Sequence, residues 1–192
     1  MAFRRRTEPD TIGGLYEYAL GALGRRMRSV AEMKRLLRQR VVGAPAAETM
    51  VQVVVDKLKE QRLLNDTEYA SSYTSLRRED EMFGRQRIVA DLKRKGVHGD
   101  IIEKTVSEAF SGVDEEKQAR AYLARKRVAK PADPKQAARV FRLLRRAGFG
   151  TRTILGILKH WDVDDELLAA LEGEAIEGGE GDGGESGGGE SI

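Results

Sequence analysis

The chain has 192 residues, of which 40% are hydrophobic, 6% aromatic and 34% charged, enough length for one domain or a few small helical units with much solvated surface. It has no cysteine, which excludes disulfides, thiolate catalysis and cysteine-bound zinc, and no run of about 18 apolar residues, which leaves nothing to span a membrane. The net charge of +3 hides an asymmetry: residues 162–192 hold eleven carboxylates and no Lys or Arg, so the 34 cations face only 20 carboxylates in residues 1–161.

Residues 1–10 read as a disordered basic arm; its arginines have no apolar stretch behind them, which argues against a secretory leader and for the cytoplasm. Glu8 to Thr11 offers a start for a first helix reaching about Met27, with Leu15, Ala19, Ala22 and Leu23 inward. Ser29 and Glu32 form the two halves of a capping box, and the helix behind them is expected to bury Met33, Leu36 and Leu37 before Val41 and Val42. A third helix, from about Ala47 to Gln61, puts Val51, Val54, Val55 and Leu58 together.

Asn65 is placed as the next N-cap, with Glu68 as its reciprocal partner. Tyr69, Ala70, Tyr73 and Leu76 then fall on one face, and residues 82–84 make the turn. The following helix carries Ile88, Val89 and Leu92 inward and stops at Gly96, where a left-handed residue closes the last carbonyls in a Schellman arrangement with Val97. Lys130 to Ala132 reads as a linker, and Asp133-Pro134 as an N-cap with proline at N1. Residues 162–170 allow a short terminal helix through Leu167, Leu168 and Leu171. From Gly173 the composition is too polar and too like-charged to collapse.

The stop motif repeats. Leu37 to Val42, Leu92 to Val97 and Leu144 to Phe149 align at spacings of 55 and 52 residues, and Ile102 and Val106 fall on Ile154 and Leu158. In the first copy Val41 replaces the glycine and resists positive φ, so that helix is expected to run on toward Gly43. The pattern predicts an all-α protein of three tandem three-helix repeats, residues 11–62, 63–111 and 112–172, stacked into an elongated, curved body between disordered ends at 1–10 and 173–192.

Catalysis has no visible seat. There is no P-loop and no nucleophile elbow, His98 and His160 lack a metal-ligand spacing, and the Gly-x-Gly-x-x-Gly at Gly179 follows no strand, so no cofactor is expected. Asn65-Asp66-Thr67 matches a glycosylation sequon but reads as the helix cap. What remains is charge. Arg77, Arg78, Arg85, Arg87, Arg94 and Lys95 gather in the second repeat, and Arg125, Lys126, Arg127, Arg139, Arg142, Arg145 and Arg146 in the third. Guanidinium forks suit phosphate or carboxylate partners, although for any single residue a solvated helix face is the plainer explanation. Tyr73 and Tyr122 could stack on bases, but their helical spacing makes them core residues first.

Leu63-Leu64-Asn65-Asp66, Tyr69-Ala70, Tyr73 and Arg77, followed by Gly84, Arg87-Ile88, Asp91-Leu92 and Lys95-Gly96-Val97, resemble the RecX family of bacterial recombination regulators over about 35 residues. Weaker copies extend the resemblance from Leu15 to Trp161. It implies a non-enzymatic, monomeric modulator that binds the RecA recombinase filament on single-stranded DNA and lowers its ATPase and strand exchange, within DNA repair and the SOS response. The basic residues above, Arg139 aside, are then the expected filament or DNA contacts, with direct contact to single-stranded DNA a further expectation. The alternative from another class is a stand-alone helical DNA- or RNA-binding module.

The acidic tail opposes the approach of phosphate, so deleting residues 173–192 is expected to strengthen binding to DNA. Equal affinities with and without the tail at low ionic strength would contradict this.

Overall fold

The structure is a computed structural model and describes residues 11–43 and 46–177. The predicted basic arm at 1–10 and the tail beyond residue 177 lie outside the described residues. Among those described are ten α-helices and no strand: α1 (Ile12–Leu23), α2 (Val30–Arg40), α3 (Ala47–Glu60), α4 (Asp66–Glu79), α5 (Arg85–Arg94), α6 (Gly99–Ala109), α7 (Glu115–Arg125), α8 (Pro134–Ala147), α9 (Thr151–His160) and α10 (Asp165–Glu177). The all-α class read from the sequence is therefore the observed one. The chain forms two compact units, one drawn from Met1–Glu81 and Ile88–Gly112, the other from Met82–Arg87 and Val113–Ile192.

In the first unit, α1 begins where Thr11 Oγ1 accepts from Gly14 N at 3.1 Å, and it ends at Leu23, four residues before the sequence placed its end. The Ser29–Glu32 capping box closes α2 in both directions. The core is Leu15, Ala19, Met33, Leu37, Val51, Val54, Val55 and Leu58, all buried. Complete burial of one such Leu or Val contributes about 1.5–3 kcal/mol over leaving it exposed.

The expectation for the end of α2 fails. The helix does not run on to Gly43; it ends at Arg40, with Val41 at φ −110° and nearly buried, while Gly43 takes the positive φ of 82°. Turning Val41 into the core leaves Val42 82% exposed, whereas Val97 and Phe149, with which the repeated motif aligns it, are buried. In α4, Asn65 Oδ1 accepts from Thr67 N and Glu68 N, but the reciprocal bond from Glu68 is not formed. Leu76 is 52% exposed and Thr74 is buried in its stead, because the inward face is centred between Tyr69 and Thr74.

The predicted stop at Gly96 is formed. Val97 N donates to Leu92 O at 3.2 Å and Gly96 N to Lys93 O at 2.9 Å, with Gly96 at φ 75°. Gly148 ends α8 the same way, at φ 91°. The same pair of bonds also ends α3 at Arg62, α7 at Arg127 and α9 at Asp162, each left-handed without being glycine.

In the second unit, Asp114 caps α7, and Asp133 followed by Pro134 starts α8 as expected. Tyr122, Phe141, Leu144, Phe149, Ile154, Leu158, Leu168 and Leu171 form the core. The predicted terminal helix is present but runs through Gly173 to Glu177. Leu168 and Leu171 are buried, Ala175 packs on the same core, and the Arg145 guanidinium donates to Ala175 O at 3.3 Å, which supplies the C-terminal cation that α10 lacks.

A Cβ at Gly96 would collide with that of Ala31, on top of the left-handed φ. Gly96→Ala is therefore expected to destabilise the chain by about 2–4 kcal/mol in chemical denaturation. Adding Ala31→Gly should recover part of that loss, and an additive double mutant would show that the two residues do not meet.

Candidate polyanion-binding surface

Most of the cations singled out in the sequence are tied into the fold. In the first unit, Arg77 pairs with Glu81 and stacks 5.0 Å over Tyr73, Arg78 donates to Ala109 O and binds Glu79, and Arg94 pairs with the buried Asp91. Lys95 joins a polar joint built on Ser29, which has no exposed surface. Ser29 Oγ donates to Lys95 O at 2.6 Å and accepts from Glu32 N at 3.1 Å, so one hydroxyl closes the start of α2 and a carbonyl at the end of α5. Lys95 Nζ reaches Glu32 Oε1 at 3.2 Å and lies 5.3 Å over Tyr73, whose hydroxyl donates to Asp91. Asp66 Oδ1 accepts from Val30 N at 2.8 Å beside it.

The two carboxylates of this joint are shifted in opposite directions. Burial alone would raise Glu32, but the Ser29 amide, the Lys95 ammonium and Arg26 outweigh it and hold the acid below its ordinary 4.5. Burial raises Asp66 above 3.8, with the Glu32 charge adding to it, and the Val30 amide does not compensate.

In the second unit, Arg87 stacks 5.6 Å over Phe83 and donates to Arg146 O, and Arg85 is engaged as well. Gly84 N donates to Ala147 O and Gln86 N to Gly148 O, and a Cβ on Gly84 would collide with Gly148 O. The start of α5 thus seals the end of α8. Gln118 Nε2 donates to Phe83 O, and Glu115 accepts from Gly150 N and Thr153, capping α9. Lys126 lies 5.7 Å from the Tyr122 ring, and Tyr122 itself is buried against Phe149, so it is no platform for a base. Arg145 turns to α10. Arg125, Arg127, Arg142 and Arg146 stay exposed.

Of the six second-repeat candidates, Arg85 and Arg87 belong to the second unit and the other four to the first. The sequence reading also passed over cations that the structure exposes. Lys135 shares a face of α8 with Arg139, Arg142 and Arg146, which its spacing of four, three and four residues could have shown. Arg26, Arg28 and Arg35 line a hollow of about 180 Å³ with Glu32. Among the described residues no group of three His, Cys, Asp or Glu could hold a metal, and no helix is long and apolar enough to cross a membrane.

The description of the second three-helix domain of RecX matches residues 65–106. Over 157 residues the chain is 31% identical to a regulatory protein RecX of Pseudomonas fluorescens, covering 81% of this chain and 97% of that relative. It is 30% identical over 151 residues to a regulatory protein RecX of Geobacillus thermodenitrificans, but there it spans about half of the relative, 54%. Among solved structures, RecX from Lactobacillus salivarius shares the fold with a TM-score of 0.63 at 22% identity, over 79% of this chain and 96% of that one.

The opposite shifts at the polar joint give a signed pH dependence. Glu32, lowered, contributes stability that is present above 4.5 and lost as pH falls through its folded value; Asp66, raised, contributes stability present below 3.8 and lost as pH rises through its own. Urea midpoints between about pH 6 and pH 3 should therefore fall less steeply on acidification in Glu32→Gln than in the parent, and more steeply in Asp66→Asn. Parallel curves for all three would remove the joint from the acid response.

Proposed function

Because the chain belongs to the RecX family of regulatory proteins, we propose that it binds RecA recombinase filaments on single-stranded DNA and lowers their ATP hydrolysis and strand exchange. The observation that carries this reading is the match along 97% of the Pseudomonas relative, whose name is that of a regulator. Supporting it, residues 1–161 carry 14 more cations than carboxylates, a surplus suited to a negatively charged nucleoprotein polymer. The chain works without catalysis, as a monomer in the cytoplasm, within the response to DNA damage. The ten helices of the described residues are read as three-helix repeats at 11–62, 63–111 and 112–172, the last extended by α10, so that successive repeats can meet successive protomers of a polymer.

The test is the single-stranded-DNA-dependent ATPase of RecA with purified chain added. The rate is expected to fall as the chain approaches one copy per few filament protomers, with less strand exchange in parallel. An unchanged rate at stoichiometric amounts would overturn the proposal.

A further inference from the structure

Helix α8 has no acidic residue from Pro134 to Ala147. Its apolar row, Ala137, Val140, Phe141, Leu144 and Ala147, is buried. Diametrically opposite stand Lys135, Arg139, Arg142 and Arg146, all exposed. At about 100° per residue these four fall within an arc of roughly 60°, and along about 16.5 Å of helix axis they stand about 5.5 Å apart. Among the described residues none of the four side chains has a carboxylate or hydrogen-bond partner. A merely solvated face is usually laced with opposite charges one turn apart, as Glu116 and Arg120 are on α7. Among the described residues, the solvent face of α8 is a row of unanswered cations.

We propose that this face binds the phosphate backbone of a single-stranded nucleic acid, one cation to each phosphate. A single strand can adjust the path and spacing of its phosphates to a straight row of cations about 5.5 Å apart, whereas a duplex holds its phosphates on a fixed helical track that curves away from such a row. Three of the four are arginines, whose planar forks take two phosphate oxygens at once. No aromatic residue lies on the row to stack a base, so the contact reads charge and not sequence. The proposal deepens the filament reading and rests on it only in expecting nucleic acid within reach of the chain; its test needs no recombinase.

The full chain is titrated against labelled oligothymidylate over a range of salt, beside Arg139→Gln/Arg142→Gln and a control, Lys93→Gln/Lys104→Gln, which removes the same charge from exposed sites elsewhere. Glutamine keeps helix propensity close to that of the residues it replaces, and circular dichroism checks the fold. Four phosphate contacts give a slope of log K against log salt of about −2.8, and loss of two makes it shallower by about 1.4. Other cations can add to the parent slope, so the difference is the readout. The proposal predicts that difference for the α8 variant, none for the control, the same for oligoadenylate, and weaker binding to duplex of equal length.

Equal loss of slope in the control would reduce the effect to general charge and overturn the proposal, and so would tighter binding to duplex. RecA ATPase measured on the same variants separates the two readings. An α8 variant that keeps its slope but no longer slows the ATPase would assign this face to the recombinase and sink the nucleic-acid proposal alone. A parent that leaves the ATPase unchanged while the slopes differ as predicted would sink the filament reading and support this one.

Discussion

Helices of ten to fourteen residues are too short to persist alone in water, so each one here has to be closed at its ends by something outside itself. The structure answers repeatedly with a group from another helix or from its flanking turn. Ser29 Oγ closes α5 while capping α2, Asp66 takes the first amide of α2, Glu115 takes the N-cap amide of α9, and Arg145 takes a carbonyl of α10. Backbone does the same where Gly84 and Gln86 donate to Ala147 and Gly148. A satisfied buried bond of this kind contributes about 0.5–1.5 kcal/mol net, but losing one partner strands the other at a larger cost. End closure therefore couples helix formation to packing within each unit, and it explains why glycines sit at the three tightest approaches, Gly148 on Arg87, Gly84 on Gly148 and Gly96 on Ala31.

That constraint also decides what the charges are for. Arg78, Lys95, Arg87 and Arg145 each hold a carbonyl, a carboxylate or a ring, and their side chains are partly covered by doing so. Such residues cannot be given up to a partner without loosening the helix end that they close. A contact surface that leaves the fold intact has to be drawn from the cations that close nothing.

Much of this architecture was readable because end closure is written locally. Ser29 with Glu32, Asn65 before Asp66, Asp133 before Pro134 and glycine at 96 and 148 each announce a boundary with a short-range mechanism, and each boundary is there. The three left-handed stops at Arg62, Arg127 and Asp162 were not readable. Nothing local favours a positive φ there, at a cost of about 1 kcal/mol or more, and the burial of Leu64 and Leu123 and the packing of Val128 and Val163 around them hold the chain in place. Val41 and α10 misled for a related reason. In both, tertiary burial of an apolar side chain moved an end that propensity had placed elsewhere.

The candidate surface was the least legible part, because a sequence counts cations and cannot say which are answered. Residues 85–95 and 135–146 are about equally rich in Lys and Arg, and on composition alone neither is preferred. In the first stretch Arg94 meets Asp91, Lys95 meets Glu32, Arg87 covers Phe83 and Arg85 is engaged, so little charge is left to act at a distance. In the second, four cations share one face without a counter-charge among the described residues, although like charges a turn apart cost a helix about 0.2–0.5 kcal/mol per pair. A partner does not respond to the net charge of a chain but to the part of it that folding leaves uncompensated and in one line. By that measure α8 stands apart from a helix of similar composition.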